Sequence, residues 1–204
     1  MKARRRTFPT PSATIGPFFP AHYFGDGDND LTFVRAQSQR ARGRKIYIGG
    51  WLYEARRVPR WNSILELWQA DAAGRFAHPN DPRHAEADPN FMGWGRRFSE
   101  DDGYWDFLTV KPGGYRDPYT GKMRAPHINL SITGSGLMRC VSTTLFFPGE
   151  DGNGLDPVFV AFPPSRRKLI LLKPERLPRA PADAESYRLD LVLQGRDETP
   201  FFVD

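Results

Sequence analysis

Nineteen prolines and nineteen glycines are spread along 204 residues, and no apolar run between them keeps a helical period for more than about three turns. Proline removes a backbone donor and fixes φ, while glycine loosens the chain, so a sequence interrupted this often is poorly suited to long helices. Short strands joined by turns are what it can form. Strand-like runs occur at Ile46 to Tyr53, Ser63 to Ala70, Gly103 to Val110, His127 to Thr133, Cys140 to Phe147 and Tyr187 to Gln194, several bounded by Gly, Pro, Asp or Asn. Their repetition implies a mostly β protein built as a sandwich. Ser165 to Leu172 has room for a short helix before Pro174.

Two regions depart from this pattern. Residues 1–45 read as an N-terminal arm and 46–204 as the sandwich core. In the arm, Pro9, Pro11, Pro17 and Pro20 break up Thr14, Ile15, Gly16, Phe18 and Phe19. An extended apolar segment has little core of its own, so Phe18, Phe19, Tyr23 and Phe24 need a surface to bury against, and a second chain is a candidate. The other region, His78 to Arg97, reads as a long irregular loop carrying His84, Asp88, Pro89, Asn90, Phe91 and Trp94. A loop of that length is often a functional wall or an interface.

The net charge of +5 would suit an anionic partner. Its basic runs, Lys2 to Arg6 and Arg35 to Lys45, are not interleaved with the aromatics that a nucleic-acid stacking platform requires, so they read as solvated or partner-facing surface. Cys140 is the single cysteine, which excludes an intramolecular disulfide framework and a cysteine-based zinc site and fits a reducing compartment. No apolar run reaches the roughly 18 residues of a membrane span, and Met1 to Arg6 leads into Thr, Pro and Ser rather than an apolar signal core, so a cytoplasmic location is expected.

The chemistry concentrates between Lys111 and Asn129. A Lys111, Pro112, Gly113, Gly114 turn precedes Tyr115, and the chain returns through Arg124, Ala125, Pro126, His127, Ile128 and Asn129. Residues two apart on a strand share a face, so His127 and Asn129 present an imidazole beside a carboxamide. A second histidine there would make a metal site. His22, His78, His84 and His127 form no close pair at ligand spacing, and on local grounds His127 reads as a buried, hydrogen-bonded histidine. Nucleophile elbows, P-loops and dinucleotide fingerprints are absent from the sequence. Gly134, Ser135, Gly136 reads as a turn, Asp101, Asp102, Gly103 as a hairpin turn, and Glu150, Asp151, Arg166 and Arg167 as solvated charges.

Several stretches together carry a resemblance. They are Thr10, Pro11, Ser12 through Thr14, Gly16, Pro17; Leu65 to Asp71 with Gly74; Asp88, Pro89, Asn90, Phe91 with Gly95, Arg96; and Asp102, Gly103, Tyr104. Further along come Thr109 to Gly113, Ala125 to Asn129, Leu145 to Phe147, and Tyr187 to Asp190 with Gln194, Gly195. In this order they resemble the intradiol ring-cleavage dioxygenases, and among them the α chains of hetero-oligomeric members. The resemblance spans nearly the whole chain. It implies a β-sandwich of the intradiol dioxygenase type with an N-terminal arm and long irregular loops. It also implies a partner β chain in α/β protomers, and oxygen-dependent opening of 3,4-dihydroxybenzoate, a small aromatic acid, to a carboxylated cis,cis-muconate.

In the iron-bearing chains of that family, two tyrosinates and two histidines hold Fe(III), whose hard Lewis acidity suits oxygen donors and imidazole. Carried over by resemblance, those ligand positions fall on Phe76, Tyr115, His127 and Asn129. Phenylalanine has no donor and a neutral carboxamide binds iron weakly, so the resemblance implies that this chain holds no metal and that the β chain carries the Fe(III). Arg124 falls where the iron-bearing chain keeps an arginine near substrate, and here an ion pair is the plainer reading. Thr14, Ile15, Gly16 and Pro17 fall where α chains reach the partner's pocket and line it. Two alternatives stay open: a self-sufficient enzyme that recruits donors such as His78 or His84, and a non-enzymatic ligand-binding or scaffolding sandwich.

Overall fold

The computed structural model describes Phe19, Tyr23 and residues 25–202. His127–Gly134 shows why these residues form strands: Ile128, Leu130 and Ile132 are buried, while Asn129, Ser131 and Thr133 between them keep partial exposure. A period of two buries one face and leaves the other for polar side chains. The strands are β1 (Lys45–Tyr53), β2 (Ser63–Trp68), β3 (Trp94–Phe98), β4 (Tyr104–Val110), β5 (Tyr115–Arg116), β6 (Met123–Arg124), β7 (His127–Gly134), β8 (Val141–Phe146), β9 (Lys173–Pro174), β10 (Glu185–Arg188) and β11 (Leu191–Val192). Two short helices, α1 (Pro157–Ala161) and α2 (Pro164–Arg167), follow β8. No helix among the described residues is long and apolar enough to cross a membrane.

Strands β3, β2, β7 and β8 form an antiparallel sheet in that order. In the second sheet β1 pairs antiparallel with β4 on one edge and parallel with β10 and then β11 on the other, and β9 pairs with β10. The sheets face each other across one core. Ile46, Ile48, Trp105 and Phe107 come from one side, and Leu65, Leu67, Ile128, Leu130 and Leu145 from the other. Each aliphatic or aromatic side chain removed from water here contributes about 1.5–3 kcal/mol. On the far face of β1 and β4, Tyr47 packs with Leu177, Ala180 and Ala184. There the Tyr47 and Asn29 side chains both donate to the buried Asp106 carboxylate.

The sides of the sandwich are stitched by irregular chain. Leu31 N–H donates to Leu108 O on β4 at 2.8 Å, and Arg96 N–H on β3 donates to Asp28 O at 2.9 Å. Residues 28–31 therefore bridge the two sheets, and Leu31 lies fully buried in the main core. Gly95 makes room for it, since a Cβ there would stand 2.5 Å from Leu31 Cδ1. Residues 25–44, grouped with the arm on sequence grounds, are thus tied to the core at this point. On the opposite side Phe146 N–H donates to Ile170 O, and Phe202 N–H donates to Ser142 O.

Several expectations need correction. The last residues of the irregular His78 to Arg97 stretch enter β3, whose Trp-Gly-Arg-Arg-Phe sequence hides its strand character behind two charges and a glycine. Tyr187 to Gln194 is two strands, because the chain steps at Leu189 and Asp190 between β10 and β11. The helix expected over Ser165 to Leu172 is the four-residue α2. The Asp101, Asp102, Gly103 turn is present but joins β3 to β4, which lie in different sheets, so it closes no hairpin. Arg167 is no simple solvated charge: its guanidinium donates to Phe162 O and Val160 O at the end of α1 and lies over the Phe159 ring.

Candidate functional site

Three loop carboxylates fix the wall that carries Phe76. Asp71, buried after β2, accepts the N–H groups of Ala73 and Arg75 at 2.8 and 2.9 Å and that of Asp88 at 3.0 Å. Asp81 accepts the N–H of Phe76 at 2.9 Å and that of Arg83 at 2.8 Å. Asp88 accepts from Arg42 N–H and Asn90 N–H. Such short-range acceptance by aspartate organises turns without regular secondary structure. Opposite them, Gly74 adopts φ +74°, and a Cβ there would meet Gly114 O at 2.4 Å. The Gly113-Gly114 turn thus lets the two backbones touch, which sets Tyr115 at the head of β5 against Phe76.

A continuous series of rings results. Trp68 stacks on Phe76 with centroids 5.9 Å apart, Phe76 meets Tyr115 edge-on at 5.3 Å, and Tyr115 lies 5.6 Å from His127. His127 in turn contacts Phe146 at 5.9 Å. His127 Nδ1 is 2.6 Å from Ala125 O. A carbonyl can only accept, so Nδ1 carries the hydrogen and Nε2 presents a bare lone pair. That Nε2 is buried and has no hydrogen-bond partner among the described residues. Burial, joined by the positive Arg124, pushes the imidazole down to about 4. Burial also raises the Tyr115 phenol above its ordinary pKa, against the opposing pull of Arg124.

Arg124, on β6, is held by Asp156: its Nε donates to Oδ2 at 2.9 Å, and Asp156 is fully buried. The same carboxylate accepts from Ala125 N–H, Val158 N–H and Phe159 N–H, the last two as the N-cap of α1. Asn129 lies one pleat beyond His127 on the same face of β7, opposite Trp68 in register. Its Oδ1 accepts from the Thr144 hydroxyl at 2.9 Å.

The fold therefore brings Phe76, Tyr115, Arg124 and His127 into one neighbourhood, with Asn129 beside it. Thr14, Ile15, Gly16 and Pro17 lie outside the described residues, as do Phe18 and Phe24. His78 sits edge-on to Trp68 and its Nδ1 accepts from Asn80 N–H, while His84 Nδ1 faces Asp81 O. Asp156 goes unread as a site residue in the sequence, although Asp followed by Pro is a recognised helix start and was the available signal. Trp68 and Asp81 carry no motif. Their roles come from contacts across the fold.

A family model described as Dioxygenase matches residues 15–195. The chain belongs to the intradiol dioxygenase family. It is 34% identical, over 90% of its length, to the β chain of protocatechuate 3,4-dioxygenase from Burkholderia cepacia, of which it covers 79%. It is 32% identical, over 95% of its length, to the α chain from the same organism, of which it covers 96%. Among solved structures, the 3-chlorocatechol 1,2-dioxygenase of Rhodococcus opacus 1CP matches with a TM-score of 0.62 at 18% identity, over 90% of this chain and 72% of that one, a likeness of fold.

Intradiol dioxygenases use iron, and the donors in this chain do not fit a four-ligand ferric centre. Phe76 has no lone pair to give, and the Asn129 oxygen is already engaged by Thr144. Tyr115 is held toward its protonated form by burial. Of the four positions, His127 alone presents a bare donor, its buried Nε2. No group of three or more His, Cys, Asp or Glu side chains able to hold a metal occurs among the described residues.

Proposed function

We propose that this intradiol dioxygenase chain acts as the α subunit of a protocatechuate 3,4-dioxygenase. Its hetero-oligomer opens 3,4-dihydroxybenzoate with O2 to 3-carboxy-cis,cis-muconate in the catabolism of aromatic compounds, in the β-ketoadipate pathway. The observation that carries this reading is the donor set, in which Phe76 and Asn129 stand where two ligands would be needed. Sequence identity supports α and β relatives almost equally.

On this reading the β subunit carries the Fe(III), and this chain supplies assembly and pocket walls in α/β protomers of the cytoplasm. Its arm, within residues 1–45, reaches the partner's site through Thr14, Ile15, Gly16 and Pro17, where glycine permits close backbone approach and proline stiffens the wall. The core, 46–204, keeps Phe76, Tyr115, Arg124, His127 and Asn129 as a site that has lost its metal. Arg124, paired with Asp156, is part of the wall there rather than a group free to meet substrate.

Metal analysis of the chain purified alone and with its co-expressed β homologue tests this. The pair is expected to hold one iron per α/β protomer and to consume oxygen with 3,4-dihydroxybenzoate, whereas the chain alone holds no stoichiometric iron. Iron in the isolated chain, with a visible tyrosinate-to-iron band, would establish the self-sufficient alternative that the bare His127 Nε2 favours. Failure to associate with any homologue bearing the full ligand set would favour a scaffolding sandwich.

A further inference from the structure

In front of the ring series lies a cleft of about 180 Å³ lined by Trp68, Phe76, Tyr115 and Tyr119 together with Asp81, Asp117 and His78. Trp68 is 39% exposed and Tyr119 78% exposed, so both offer ring surface to a ligand. No lysine or arginine is among the described residues that line the cleft, although the chain as a whole is basic. Both acids stay ionised at neutral pH. Burial works against the Asp81 charge, but the N–H groups of Phe76 and Arg83 hold its carboxyl below the usual range. The Thr120 N–H, with Tyr119 N–H, does the same for Asp117. Of the nearest cations, Arg83 pairs with Asp81 at 3.6 Å, and Arg124, whose Nε is held by Asp156, also acts on Asp117.

We propose that this cleft is a binding site for an organic cation, an ammonium or guanidinium group seated against the aromatic faces and countered by Asp117. The negative faces of aromatic rings attract cations, and a neighbouring carboxylate adds to that attraction while repelling an aromatic acid. The cleft thus selects against the charge type of 3,4-dihydroxybenzoate. This rests on the proposed function, because Phe76 and Tyr115 stand at donor positions and an iron held in this chain would draw on Tyr115; iron in the isolated chain is read separately by metal analysis.

The test is calorimetric titration of the full chain with benzyltrimethylammonium, benzyl alcohol and benzoate, three probes of similar ring size and different charge. The ammonium is expected to bind saturably and the other two to bind more weakly. Tyr119→Ala and Asp117→Asn should each weaken the ammonium by about fivefold. Asn at 117 keeps an oxygen that can accept from the turn N–H groups, and thermal melting of each variant reports whether the fold is retained. Saturable binding of benzoate as tight as that of the ammonium, absence of ammonium binding, or folded variants that bind it unchanged would each overturn the assignment.

Discussion

His127 is neutral because its surroundings leave no room for charge: it is 3% exposed, its Nδ1–H is used by Ala125 O, and Arg124 stands nearby. In the unfolded chain the same imidazole takes up a proton near its ordinary value of 6.5, whereas in the fold it resists until about 4. Between those values the unfolded state binds more protons, so stability rises with pH. The full contribution is present above pH 6.5 and is lost going down, by roughly 1.4 kcal/mol per pH unit, until the folded imidazole also protonates. Urea midpoints measured from pH 7 to 4 should show this slope in the native chain and lack it in His127→Leu. A flat native profile, or a slope that survives in the variant, would remove the account. Aspartates such as Asp88, held low by the N–H groups of Arg42 and Asn90 against the effect of burial, act in a more acidic range. The placement of His127 and Asn129 on one face could be read from their spacing alone. The use of the Asn129 oxygen by Thr144 could not, since it joins positions on two strands whose register the sequence does not state.

Strand β1 carries two adjacent glycines, Gly49 and Gly50, which ordinarily weaken a strand. Here the step between β10 and β11 brings Leu189 O to 2.0 Å from where a Gly50 Cβ would stand, and Trp105 O lies 2.6 Å from that of Gly49. Gly50→Ala must therefore displace backbone, with an expected loss of about 1–3 kcal/mol in chemical denaturation. A neutral substitution would show that the β10–β11 step can relax. The buried acid at the start of α1 has a larger role. Asp156→Ala removes the helix cap and leaves Arg124 partly buried without its carboxylate, and the expected cost is about 3–5 kcal/mol. A cost under 1 kcal/mol, on the scale of an exposed pair, would mean that the guanidinium finds water instead. The long strands were readable as runs rich in β-branched and aromatic residues bounded by turn signals, with clean apolar alternation in β7. The short ones were not. β5, β6 and β9 have two residues each, too few for a period, and exist because a neighbour already holds the matching hydrogen bonds.

For the whole assembly, the proposed role of the arm predicts an effect on a site in another chain. Gly16 replaced by a bulky residue should raise KM for 3,4-dihydroxybenzoate severalfold in the α/β complex while its iron content stays unchanged. Unaltered KM would leave the arm as a structural strap with no part in the pocket. The expectation that a partner chain holds the metal came from the residue types at Phe76 and Asn129 alone. The cleft in front of the ring series was not, because it depends on how Tyr119 at a hairpin tip and Trp68 at a strand end meet across the fold. The seams of the sandwich set a further condition on association. Residues 28–31 occupy open backbone groups of β3 and β4, while the segments around Ile170 and Phe202 occupy those of β8. A row of free backbone groups would accept any extended strand without regard to its side chains. With those rows occupied, two chains of the same fold must recognise each other by side chain and shape. Under the proposed α role, side-chain recognition of this kind is what would tell an α chain from a β chain of the same fold.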